Sequence, residues 1–158
     1  MPAMTSPETL RTDFWKALAT SPFVMLELSG HPEGAAPMTA QLDEDADSAI
    51  WFFTARSGHF APMGDASVTF TAKGHDLFAR FAGWLVEEHD RAVKDRFWSN
   101  RIEAWFPGGK DSPEVLLMRM DLGEATIWSG EIGIVDAVRL MLGADVRGEA
   151  GQKLETHL

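Results

Sequence analysis

The stretch WFFTARSGHF, residues 51–60, places the chain's most reactive side chains directly behind three aromatic rings. Arg56, Ser57, Gly58 and His59 follow Trp51, Phe52, Phe53 and Thr54. A serine two positions from a histidine raises the question of nucleophilic catalysis, but no acid is placed to orient His59. No serine lies in a Gly-x-Ser-x-Gly elbow either. The segment FPGGKD, 106–111, contains Gly-Lys. A phosphate-binding P-loop would need a glycine where Ala104 stands and a serine or threonine where Asp111 stands, so this segment reads as a turn. His31, His59, His75, His89 and His157 never stand four residues apart, which excludes a helical metal pair. His89 sits among carboxylates in EEHD, 87–90, and reads as a solvated side chain.

The aromatic residues remain. The chain has six tryptophans and ten phenylalanines but no tyrosine. Such rings fill cores, and their faces also stack on flat ligands. WFF and AWFPGG both border polar loops, so by composition the core role and the ligand role are both open.

Broader properties narrow the class. A chain of 158 residues with 45 % apolar and 24 % charged residues suits one soluble domain with one core. A formal net charge of −10 and the lack of a basic stripe argue against nucleic acid as a partner. No apolar run is long enough to cross a bilayer, so no membrane partner is expected. The N-terminal MPAMTSPETLRTDFWK lacks the basic and apolar regions of a signal peptide. Cysteine is absent, which removes disulfides and thiolate sites and fits a cytoplasmic, reducing setting.

The elements that must position these residues follow from local pattern. Ser6, Pro7 and Glu8 form a helix start, and Leu10, Phe14, Ala17 and Leu18 recur at helical spacing up to Ser21-Pro22. Strands are expected over 23–30, 38–43, 49–55 and 66–74. A further long strand is expected over 76–88, with a bulge at Gly83. Residues 90–106 read as a helix with Val93, Phe97, Ile102 and Trp105 apolar amid charges. A loop over 107–113 leads to one or two strands over 114–130. The tail carries a helical pattern at Ile132, Val135, Val138 and Leu142, then turns polar after Gly143. Short antiparallel strands joined by hairpins suggest a small closed barrel. The 49–55 strand is apolar on both faces. A closed barrel accounts for one face, and a subunit interface could account for the other.

The order APMTAQ (36–41), WFFTARSGH (51–59), a Val-Thr-Phe strand and AWFPGGKDSPEVLLMRM (104–120) resembles the pyridoxamine 5′-phosphate oxidase-like flavoproteins, in particular their general stress protein 26 branch. The resemblance implies a mainly β fold with flanking helices. This is a split β-barrel of Greek-key type with about six antiparallel strands. It implies a single domain, with the barrel core over about 8–129 and a helical tail over about 131–158. It also implies a homodimer with FMN in clefts between the subunits. By resemblance, Met38, Thr39 and Gln41 edge the flavin ring, and Phe52, Phe53 and Thr54 run along ring and ribityl. Ser57, Gly58 and His59 lie near the phosphate, and Trp105 closes the cleft from the other subunit.

Two departures from the family pattern stand out. Ala36 replaces the usual arginine before Pro-Met, and His59 replaces the usual lysine after Phe-Phe-Thr. Each charge-assisted bond to a phosphate contributes about 1.5–3 kcal/mol. Losing two would weaken FMN by roughly two to four decades unless other groups replace them. Arg56 is the nearest replacement, with Lys73, a protonated His59 and the Ser57 and Gly58 N–H groups beside it. The function implied is that of a flavin-dependent reductase or oxidase acting on a small substrate. The alternative is a binding or sensor module that has lost its flavin, or that holds another flat ligand such as haem or a deazaflavin. For haem, His59 is the ligand to test.

Overall fold

The computed structural model describes residues 6–44, 48–130 and 152–158. Helix α1, Pro7–Thr20, starts as its sequence dictates: the Ser6 hydroxyl accepts from the Thr9 N–H at 3.2 Å, and proline occupies the first turn. Its stripe of Leu10, Phe14 and Leu18 is fully buried. Burying a Leu or Phe side chain in this way stabilises by about 1.5–3 kcal/mol each. Among the described residues no helix is long and apolar enough to cross a membrane.

The strands are β1 (Phe23–Leu28), β2 (Ala36–Thr39), β3 (Ala49–Ala55), β4 (Gly64–Thr71), β5 (Leu77–Glu87), β6 (Val115–Ser129) and β7 (Gln152–His157). They form one seven-stranded antiparallel sheet in the order β2-β1-β4-β5-β6-β3, with β7 also paired to β6. Strand β3 leaves its sequence neighbours to lie beside β6, which gives the Greek-key path. Among the described residues, the two ends of that path are joined by a single bridge, from Gln41 just beyond β2 to Trp51 of β3. There the Gln41 N–H donates to the Trp51 carbonyl (2.7 Å) and the Trp51 N–H donates back (3.0 Å). The barrel is therefore split along this seam. Its inside is filled by Val24, Leu26, Ile50, Phe52, Val68, Phe70, Phe81 and Met118, with α1 closing one side through Phe14.

A register irregularity does fall beside Gly83, between Phe81 and Gly83, but the extra residue belongs to β6, where Gly123 and Glu124 stand opposite Ala82 alone. Other boundaries differ from expectation. The second strand occupies Ala36–Thr39 rather than 38–43, because beyond Thr39 the chain turns toward the single bridge at Gln41. The helix expected over 90–106 is two short helices, α2 (Arg91–Phe97) and α3 (Asn100–Glu103). Trp98 takes an extended conformation between them, and the Ser99 hydroxyl caps α3 by accepting from the Ile102 N–H. The expected polar, frayed end is partly a strand. β6 runs past the reach of β3, and residues 152–157 pair with the open ladder at Glu124–Ser129. The helical pattern at Ile132–Leu142 lies outside the described residues.

Strand β3 now explains its aromatic triplet. Ile50 and Phe52 face the barrel core. Trp51 and Phe53 face the other way, against Leu117, Val93 and Phe97. The second apolar face is thus covered by the chain's own α2, at least over Trp51, rather than by a subunit interface alone. The Trp51 indole N–H finds a carboxylate partner in Glu88 at 3.0 Å.

Candidate functional site

Strand β3 delivers its polar loop to the start of β6, because the two strands run antiparallel from Ala49 opposite Asp121 to Ala55 opposite Val115. The Arg56 N–H continues the ladder onto the Glu114 carbonyl at 2.7 Å. The Arg56 guanidinium does not project freely. Its Nη1 contacts Glu87 Oε1 at 2.6 Å, and its Nε donates to the Pro113 carbonyl at 3.0 Å. The Ser57 N–H donates to Glu114 Oε1 at 3.0 Å, and the Ser57 hydroxyl contacts the same oxygen. Hydrogen bonds from the Ser57 side chain, then from its backbone, hold the Glu114 carboxyl below the ordinary carboxylate range. Gly58 closes the turn with its N–H on the Ala55 carbonyl at 2.8 Å. A Cβ at Gly58 would approach that carbonyl to 3.1 Å, so the turn favours glycine.

His59 turns inward. Its ring lies 4.0 Å from that of Phe60 and 5.5 Å from that of His31, on the loop after β1. The His59 Nε2 is buried with no hydrogen-bond partner among the described residues. A polar atom in that state is unfavourable unless something else supplies a partner.

A second group of aromatics roofs the outer face of β3. Phe53 meets Trp98 edge-on at 5.5 Å, and Trp98 lies 6.1 Å from Phe106. This segment is held by charge. Lys110 Nζ contacts Asp95 at 2.8 Å, Arg91 contacts Asp111 at 2.6 Å, and Lys94 Nζ donates to the Lys110 carbonyl at 3.2 Å. The Lys110 hydrogen bond is the main reason that the Asp95 carboxyl sits below its usual range. Trp105, between α3 and Phe106, is 80 % exposed.

The seam brings the other sequence-expected residues together. Gln41 is bridged to Trp51, so β2 residues Met38 and Thr39 flank the open edge of β3. Antiparallel continuation would set Thr39 opposite Phe53, yet among the described residues no ladder forms there and the facing strand edges are not paired with each other. Phe52 is wholly buried inside the barrel, so it could offer a ligand only its backbone. Phe53 and Thr54 are partly exposed, with Phe53 on the outer face of β3 beside Trp98. Trp105 stays outside this grouping within one chain.

Two surface grooves are described, and no candidate residue lines either of them. One, of about 400 Å³, lies between α1 and Leu42–Glu44; the other, of about 270 Å³, lies on the outer sheet around Arg80 and Thr126. Sequence reasoning missed Glu87, Glu114, His31 and Trp98. Glu114 precedes a strand and Glu87 ends one, as ordinary surface acids do. Only the β3–β6 register, which local sequence does not encode, sets Glu114 against Ser57.

A nearly closed antiparallel sheet with one-bridge closure, helices across one face and a polar turn at the seam defines a split β-barrel. The chain belongs to the family described as pyridoxamine 5′-phosphate oxidase like, which matches residues 10–152. Among solved structures it is similar to the general stress FMN/FAD binding protein from Xanthomonas citri, with 40 % identity over 80 % of this chain and 93 % of that one, and a TM-score of 0.74. A protein described as of a general stress family from Xanthomonas campestris pv. campestris is 41 % identical over 83 % of this chain and 94 % of that one, with a TM-score of 0.74. A protein described as general stress protein 26 from Jannaschia sp. CCS1 is 28 % identical over 96 % of this chain and 99 % of that one, with a TM-score of 0.76. No curated protein matches the chain.

Proposed function

We propose that this chain is an FMN-binding flavoprotein of the general stress protein 26 type. It works as a cytoplasmic homodimer and serves as a flavin-dependent reductase or oxidase of a small substrate. The observation that carries the reading is the open seam: two strand edges that, among the described residues, do not pair with each other beyond one bridge and lead to the loop of Ser57 and His59, whose Nε2 has no partner among those residues. Such edges offer N–H and C=O groups to the polar rim of a flat heterocycle, and Phe53 offers an apolar flank. The naming of a similar Xanthomonas citri protein as FMN/FAD binding supports the choice of ligand.

In this reading Met38, Thr39 and Gln41 hold the ring edge, and Phe53 and Thr54 follow ring and ribityl, with Phe52 contributing backbone. Ser57 and His59 lie near the phosphate; the His59 Nε2, buried and without a partner among the described residues, donates to it once the ring turns outward. Gly58 shapes the turn. Arg56, bound to Glu87, anchors the loop and lends positive charge from behind it. When bound, FMN supplies the hydride or electron transfer; the chain orients it and excludes water.

The second subunit is supported by a surface that one copy leaves uncovered. Phe23 and Met25 on β1 and Phe78 and Trp84 on β5 are 59, 40, 38 and 57 % exposed. All four lie on the outer face of the sheet, in two strips separated by the polar row of β4: Thr69 faces Met25, Thr71 faces Phe78 and Asp65 faces Trp84. Large apolar side chains exposed together on one sheet face support an interaction surface there. In this reading the exposed Trp105 of one copy closes the cleft of the other.

Two measurements test the proposal. Purified protein is expected to be yellow and to release FMN on denaturation. Colourless protein that also fails to bind added FMN would overturn the reading, and a Soret band would replace it with haem, with His59 as the ligand to examine. Light scattering is expected to show a dimer that becomes monomeric in the Met25→Glu, Trp84→Glu variant, with FMN lost in step. A dimer that survives both changes would place the interface elsewhere.

A further inference from the structure

The loop assigned to the phosphate already holds an anion, and that anion belongs to the chain. Glu114 sets one carboxylate oxygen on the Ser57 N–H at 3.0 Å and on the Ser57 hydroxyl. The donors on either side of Ser57 are engaged as well. The Arg56 N–H is on the Glu114 carbonyl at 2.7 Å, the Gly58 N–H is on Ala55 at 2.8 Å, and the guanidinium is on Glu87 at 2.6 Å. Arg56, Glu87 and Glu114 together therefore carry a net negative charge at neutral pH. A phosphate that takes the Ser57 donors must first displace a like charge from them. The Glu114 side chain is exposed, so it can swing into water.

We propose that Glu114 is a specificity-determining residue, an internal occupant of the anion position that sets how much the chain gains from a ligand's phosphate. The inference rests on the flavin reading above and adds to it. It explains how a site without the family's usual arginine and lysine comes to have its serine donors filled. It also makes a ligand's phosphate worth less to this chain than the loop alone suggests.

The test compares FMN with riboflavin, which lacks the phosphate, by titrating flavin-free full-length protein. The ratio of the two dissociation constants is the readout, because it cancels contributions of ring and ribityl. Glu114→Ala is expected to raise the preference for FMN by about tenfold, from loss of one like charge within hydrogen-bond range. Glu114→Gln, which keeps the shape, is expected to move it the same way and guards against misfolding of the alanine variant. Adding Ser57→Ala to Glu114→Ala is expected to cancel the gain. An FMN-to-riboflavin ratio equal to wild type in both Glu114 variants, with flavin still bound, overturns the inference and leaves the flavin reading standing. If neither flavin binds the wild type or any variant, both fall together.

Discussion

Phe14→Ala is expected to lower the unfolding free energy by about 3–5 kcal/mol, the usual range for emptying a fully buried phenylalanine site. Phe14 has no exposed surface. Its ring meets the edges of Trp15, Phe81 and Phe70, at 5.1, 5.5 and 6.1 Å. The first neighbour is on α1 itself, and the other two belong to β5 and β4. The substitution therefore leaves a void where the helix docks on the barrel, and no neighbour on a paired strand can collapse into it cheaply. A domain of this size loses about 2–4 °C of melting temperature per kcal/mol, so a thermal melt should fall by roughly 10 °C. Phe14→Leu keeps most of the volume and should lose less than half as much. A melt unchanged in Phe14→Ala would mean that α1 does not contribute to the core.

Gly83→Ala is expected to destabilise by about 2–3 kcal/mol, through overpacking rather than a void. A Cβ at Gly83 would lie 2.5 Å from the Asp121 carbonyl oxygen and 2.8 Å from Met120 Cε. The methionine end can move, but the carbonyl belongs to the β6 backbone beside the bulge and cannot move without opening the ladder. Gly123 is the control: a Cβ there would meet the Ala82 carbonyl at 3.6 Å, an ordinary contact. Urea denaturation should thus separate the two glycines, with Gly123→Ala near wild type and Gly83→Ala well below it. Equal midpoints would mean that the bulge is not as tight as the register shift implies.

These two sites also show what could be read from the chain alone. The start of α1 was legible because a serine cap, a proline and a repeating apolar stripe are all local signals. The irregularity beside Gly83 was legible because glycine interrupts an otherwise alternating strand, but that its extra residue sits on the partner strand β6 was not. The break at Trp98-Ser99 was harder to see. The apolar positions Trp98, Ile102 and Trp105 keep helical spacing through it, and only the capping role of Ser99 betrays it. Strand β7 had no readable signal, because Gln152–His157 is polar and forms only by adding to the free edge of β6. At the candidate site, the turn residues 56–59 stood out by type. Their partners Glu87 and Glu114 did not, since long-range register decides which acid meets which base. The cover over Trp51 has the same origin: α2 lies far along the chain, and nothing near the triplet indicates that a helix returns to shield it.

Strand β3 has one ladder partner, and that partner comes late. Phe53 pairs with Leu117, and the intervening chain must first build β4, β5 and both short helices. Until then Trp51, Phe52 and Phe53 form a bare, sticky segment on a growing or refolding polypeptide. Pairings so distant along the chain are slow to close, and exposed apolar strands associate with one another in the meantime. The same triplet that finishes the barrel is thus its weak point during biogenesis, where chaperone capture and intermolecular association compete with the arrival of β6.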